Sequence, residues 1–146
     1  MKPITITRSI AAPINVVFLT ISDIRNFATA VPHIKAVEFL SEQQMGVGTR
    51  FRETRVMKGR EQTTDLEVAE YVENERVRIV SDSGGTVWDT LFTVADGADG
   101  CVEMTMVMEA KPHTLLARLV NPLIRGMVVD AVEDDMDAVK VFCESP

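Results

Sequence analysis

Ile4, Ile6, Arg8 and Ile10 alternate with Thr5, Thr7 and Ser9. Period two with β-branched residues predicts a strand with one wet face. The period changes at Ala12-Pro13. Proline suits a first helical turn, where its missing N–H would lack a partner anyway, and Val16, Val17, Leu19, Thr20 and Ile21 follow, so a short helix begins here. Ser22 or Asp23 can cap a second short helix through Ile24, Phe27 and Val31. It ends before Pro32, because the residue preceding a proline avoids the α region.

Six further strand-like runs follow between His33 and Ala110. Turn residues separate them at Gly46-Val47-Gly48, Lys58-Gly59, Glu73-Asn74-Glu75, Ser83-Gly84-Gly85 and Asp96-Gly97-Ala98-Asp99-Gly100. These connections are too short for parallel crossovers, so the strands form an antiparallel meander. In the last run Val102, Met104, Met106, Met108 and Ala110 share one face, while Cys101, Glu103, Thr105 and Glu109 share the other.

After Lys111-Pro112 a helical pattern runs from about Thr114 to Phe142, and Pro122 in its interior predicts a break or kink. Winding the second half at the helical period puts Ile124, Met127, Val128, Ala131, Val132, Val139 and Phe142 on one arc. Asp130, Glu133, Asp137 and Lys140 lie opposite. The inner face of the sheet is the one large apolar surface available to cover that arc, so the helix must lie on the sheet.

Composition narrows the reading further. The 146 residues, 46% hydrophobic and 25% charged, are the balance of one globular domain spanning 1–146. A chain of this size buries roughly 70% of its unfolded surface, enough for a core without disulfides or a structural metal. With 15 Lys and Arg against 22 Asp and Glu, the formal charge of −7 argues against nucleic acid as a partner. Cys101 and Cys143 form no CxxC pair and read as reduced, structural residues. Met1-Lys2-Pro3 opens onto alternating residues rather than a signal peptide, and no window approaches 18 apolar residues. The expectation is a cytoplasmic protein without stable membrane insertion.

Four stretches carry a resemblance. They are Ala11-Ala12-Pro13 with the Val-Phe helix after the first strand, Asp23 through Phe27 to Val31-Pro32-His33-Ile34, Gly46-Val47-Gly48-Thr49-Arg50-Phe51, and Leu116 through Asn121-Pro122-Leu123 to Ala138-Val139-Lys140. In this order and spacing the chain resembles the helix-grip fold of the SRPBCC or START-like superfamily, which includes birch-pollen-allergen-like proteins and the polyketide cyclase/dehydrase and lipid-transport families. The resemblance covers nearly the whole chain. It implies an α+β fold: a seven-stranded curved antiparallel sheet wrapped on a long C-terminal helix, with two short helices after the first strand. It also implies a cavity between sheet and helix that holds a lipid, sterol, polyketide or similar apolar molecule, and a weak homodimer. The motifs consist of folding residues, so the resemblance brings no catalytic set with it, and fold alone does not give function.

The residues themselves support a cavity in part. Met104, Met106 and Met108, joined by Met127 and Met57, would make an adaptable lining, because an unbranched thioether repacks around different shapes; the same residues also serve as gap fillers in a closed core. Trp88 and Tyr71 lie on strands, where an aromatic body with a polar tip lines a pocket mouth or finishes a core. The charges at Arg50, Arg52, Glu53, Arg55, Asp65, Glu67, Arg76 and Arg78 suit cross-strand pairs on a solvated face. Alternatively, one of Glu53, Arg55 or Arg78 enters the cavity and orients a ligand. Asp135 is the one charge inside the apolar arc of the long helix. The simpler reading sets it at the edge of a wide stripe, and the sharper one turns it inward to meet an Arg from the sheet or the polar end of a ligand.

The residues expected to touch a ligand are therefore Met104, Met106, Met108, Trp88, Met127, Phe51, Arg55, Val128 and Asp135. His33 and His113 have no metal-ligand spacing and read as loop or capping residues, so no metal is expected. Gly-x-Ser-x-Gly is absent, and Gly46-x-Gly48 lacks the third glycine and helix of a dinucleotide site, so no cofactor is expected. The first functional reading is a binding protein for a hydrophobic small molecule or lipid. The second is a cyclase, aromatase or dehydratase acting through Glu53, Asp65, Tyr71, His33 or Asp135. The third is an interaction protein resembling the coenzyme Q-binding branch, although Ala30-Val31-Pro32-His33 lacks the Trp-Cys that branch carries after its proline.

Overall fold

A computed structural model describes residues 1–145. The chain forms β1 (Ile4–Ile10), α1 (Ile14–Ser22), α2 (Ile24–Ala30), β2 (Ile34–Phe39), β3 (Arg50–Met57) and β4 (Arg60–Val72). It continues through β5 (Arg76–Ser83), β6 (Thr86–Asp96), a 3₁₀ turn (Ala98–Gly100), β7 (Val102–Pro112) and α3 (Leu115–Glu144). One curved antiparallel sheet has the order β1-β7-β6-β5-β4-β3-β2, so the meander is complete and β1 joins it at the β7 edge. The helix-grip architecture is thus present.

Local chemistry sets the helix ends. The Asp23 carboxylate accepts from the Arg25 amide at 3.0 Å and separates α1 from α2. Thr114 caps α3, its Oγ1 accepting from the Ala117 amide at 3.1 Å. Gly85, at φ +81°, lies against this cap, and a Cβ there would come within 2.4 Å of Thr114 Oγ1. The β5–β6 turn therefore needs glycine both for its backbone conformation and for its approach to α3.

The core lies where α1 and the second half of α3 close onto the sheet. Phe18, Ile21, Val77, Met104, Met136 and Val139 are all buried there, and the Phe18 ring meets Tyr71 edge-on at 5.3 Å. At the far end of α3, Glu144 accepts from the Ala11 amide at 2.8 Å and Arg8 pairs with Asp137 at 2.7 Å, tying the helix to β1.

Two expectations about α3 need correction. Pro122 does not break the helix, which is continuous from Leu115 to Glu144. The first half of α3 is largely exposed, so water can reach the carbonyl that lacks an amide partner, and Asn121 anchors this turn through a 2.9 Å bond to Thr86 Oγ1. The buried line of the second half is Val132, Asp135, Met136, Val139 and Cys143 rather than an arc ending at Phe142, which is 38% exposed. Phe142 falls one helical step, about 100°, away from Cys143, which contacts Thr20 Oγ1 at 3.4 Å.

Candidate functional site

Toward β1, β7 and α1 the long helix packs closely, whereas over β3 to β6 it stands off and leaves a cavity of about 1050 Å³. That volume matches a drug-sized or lipid-sized molecule. Strand period two builds the lining. Phe51, Glu53, Arg55 and Met57 of β3 alternate inward, as do Trp88, Thr90 and Phe92 of β6 and Met106 and Met108 of β7. The register sets Phe92 opposite Met106 and Thr90 opposite Met108, which makes one continuous, mostly apolar wall. From α3, Ile124, Val128 and Ala131 complete the enclosure. The rim consists of the β3–β4 turn, the β5–β6 turn and the exposed start of α3, where Leu116 and Met127 both border the cavity and face solvent.

Inside this apolar wall lies one cluster of charges. Strand alternation brings Glu53 and Arg55 to the same face, and the helical period brings Asp135 to the face of Ala131 and Val132. Arg55 donates from Nη1 to Asp135 Oδ1 at 3.0 Å and from Nη2 to Oδ2 at 2.9 Å, and its Nε donates to Glu53 Oε1 at 2.5 Å. Glu53 is 8% and Asp135 5% exposed. Burial alone would lower the Arg55 guanidinium, but the charges and hydrogen bonds of Asp135 and Glu53 outweigh it and hold Arg55 above its ordinary value. Burial pushes the Asp135 carboxyl above its ordinary value. Arg55 opposes that push strongly and His33 weakly, while Glu53 adds to it.

A carboxyl with a raised folded pKa binds its proton more tightly in the native state than in the unfolded chain. Its contribution to stability is greatest in acid and is lost as pH rises from 3.8 through the raised folded value. The stability of the wild type relative to Asp135→Asn is therefore expected to decline from acid to neutral pH across that window. Urea denaturation of both proteins at stepped pH measures it, and a difference that grows with pH would contradict the assignment.

Other polar groups lie apart from the cluster. Asn121, 14 residues earlier on α3 and about 21 Å along the helix axis from Asp135, lines the cavity together with Thr86 of β6. Ser22 Oγ also borders the cavity and is buried without a hydrogen-bond partner.

Of the residues expected to touch a ligand, Met106, Met108, Trp88, Met127, Phe51, Arg55, Val128 and Asp135 line this cavity. Met104 does not. It sits level with Val94, beneath α1, and is fully buried in the closed core. Of the alternatives for the sheet charges, Glu53 and Arg55 face inward. Arg78 faces away and pairs with Glu70 and, at 2.7 Å, with Asp89. Asp65 pairs outside with Arg52 at 2.7 Å, and Tyr71 belongs to the core against Phe18. His33 is exposed, and His113 pairs with Asp82 at 2.8 Å on the surface. Sequence reasoning missed Asn121 and Ser22 as lining residues. Asn121 carried a signal, since 14 residues is close to four helical turns and places it near the face of Asp135.

Among the described residues no group of three or more His, Cys, Asp or Glu could hold a metal ion, and both cysteines are free. Among the described residues no helix is long and apolar enough to cross a membrane.

No curated protein matches the chain in sequence. Solved structures share its fold at low identity. A protein from Thermus thermophilus superposes with a TM-score of 0.78 at 16% identity, with 97% of each chain covered. A START superfamily protein from Mycobacterium smegmatis gives 0.78 at 13% identity, again with 97% of each covered. The di-domain aromatase/cyclase StfQ of the steffimycin biosynthetic pathway gives 0.76 at 11% identity, covering 97% of this chain and 50% of that one. At these identities the likeness is one of fold. The family model for polyketide cyclase/dehydrase and lipid transport proteins matches residues 1–144, and the chain belongs to that family.

Proposed function

We propose that the protein binds a hydrophobic small molecule or lipid, with the apolar body between α3 and the sheet and a polar group at the Arg55 cluster. The observation that carries this reading is a cavity of about 1050 Å³ whose apolar wall holds one buried set of charges. Pockets with that combination take their affinity from the wall and their orientation from the polar group. The net charge of −7 favours such a partner over nucleic acid.

Trp88 is the sole tryptophan and borders the cavity, so its emission reports occupancy. Titration with N-phenyl-1-naphthylamine is expected to quench Trp88 and raise the dye's fluorescence to saturation. Ala131→Phe, which fills space beside Val128, is expected to weaken the dye about tenfold. Dye that neither quenches Trp88 nor gains fluorescence would refute the binding reading.

A second reading, a cyclase or dehydratase, draws on carboxylates inside the cavity. Both Asp135 oxygens are held by Arg55, which leaves Glu53 as the better base, with one oxygen unbonded among the described residues. Turnover of a β-keto thioester that Glu53→Gln abolishes would favour it.

A further inference from the structure

We infer that the Arg55 cluster selects ligands whose polar end donates a hydrogen bond, a hydroxyl or an amine, and rejects those ending in a carboxylate. This rests on the binding reading above and adds the class of ligand. The argument is a count of charges and bonding sites. One guanidinium faces two carboxylates, so the fully ionised cluster carries one surplus negative charge. Of the five Arg55 N–H groups, three, on Nε and one each on Nη1 and Nη2, are spent on Glu53 and Asp135, and two remain, one on each Nη. Both Asp135 oxygens are occupied by this fork, while Glu53 uses one oxygen on Arg55 and keeps the other without a partner among the described residues.

The open acceptor in the cluster is thus the second oxygen of Glu53, beside the two remaining Arg55 N–H groups, so a ligand's polar end meets the whole cluster and its surplus negative charge. A hydroxyl or ammonium placed there gains a charge-assisted hydrogen bond to a carboxylate that is 8% exposed as a residue. A carboxylate there would bring a third negative charge to a single guanidinium, in a site where burial strengthens repulsion. The apolar wall is indifferent to this choice, so the discrimination falls on the head group alone.

Displacement of N-phenyl-1-naphthylamine by decylamine, decanol and decanoate at neutral pH isolates the head group at constant chain length. Decylamine and decanol are expected to displace the dye at concentrations about tenfold lower than decanoate. Glu53→Gln, which removes the surplus charge, is expected to erase most of that gap, each displacement being scored against the dye affinity measured for that variant. Decanoate displacing as well as decanol, or a gap untouched by Glu53→Gln, would overturn the inference. Dye that binds but yields to none of the three would also overturn it and leave the cavity as a binding site. Dye that fails to bind would bring down the binding reading and this inference together.

Discussion

Arg55→Met is expected to lower folding stability by about 3–5 kcal/mol, because it leaves the carboxylates of Glu53 and Asp135 buried and facing each other without a cation. The methionine replaces the aliphatic stem, so little of the loss comes from packing. The control is the triple variant Glu53→Met, Arg55→Met, Asp135→Leu, in which no charge remains. Burying two carboxylates and a guanidinium costs desolvation that their attraction only partly returns, so the triple variant should be about as stable as the wild type or more so. Urea denaturation read at the midpoint with unchanged slope gives both numbers. If the single variant lost under about 1 kcal/mol, the cluster would be a solvated pair of the kind found on surfaces. The triple variant would also show what the cluster is kept for. A protein that is stable without it, yet no longer discriminates among polar ends of ligands, has retained these charges for recognition.

The parts of this site differed in how legible they were, for physical reasons. Hydrophobic period two and the glycine turns delimited the strands, since one buried face demands alternation. On β3 that signal is mixed: Phe51 and Met57 share a face with Glu53 and Arg55, while Arg50, Arg52, Thr54 and Val56 form the other. Neither face is apolar throughout, so periodicity cannot choose the inward one. Phe51 on the core side and the pairing of Arg55 with Asp135 accompany the observed choice. Asp135 stood out because a helical wheel needs no tertiary knowledge to show a charge among valines and alanines. Its partner, 80 residues earlier, could not be read from spacing. Pro122 misled because propensity treats it as an interior residue, whereas that stretch of α3 projects partly into solvent.

The cavity itself was the least legible feature. Alternation says which methionines face inward but not how far the opposing helix stands from each of them. Met104 and Met108 share the same face of β7, yet α1 and α3 close over the first while the second borders open volume.

Their truncations should therefore diverge. Met104→Ala removes a side chain with 0% exposure and leaves a void that close neighbours fill only in part, a loss of about 2–5 kcal/mol. Met108→Ala deletes atoms that already border the cavity and are only half-buried, so fewer packing contacts disappear and the cost is about 1 kcal/mol. Binding should show the opposite ranking. Met108→Ala changes the wall opposite Thr90 and shifts dye affinity severalfold, while Met104→Ala leaves affinity unaltered at temperatures where it remains folded. Denaturation and dye titration on the two variants supply both rankings. Equal stability losses would mean that α3 closes on the sheet along its whole length, and the ligand-sized volume would then have no place in the native protein.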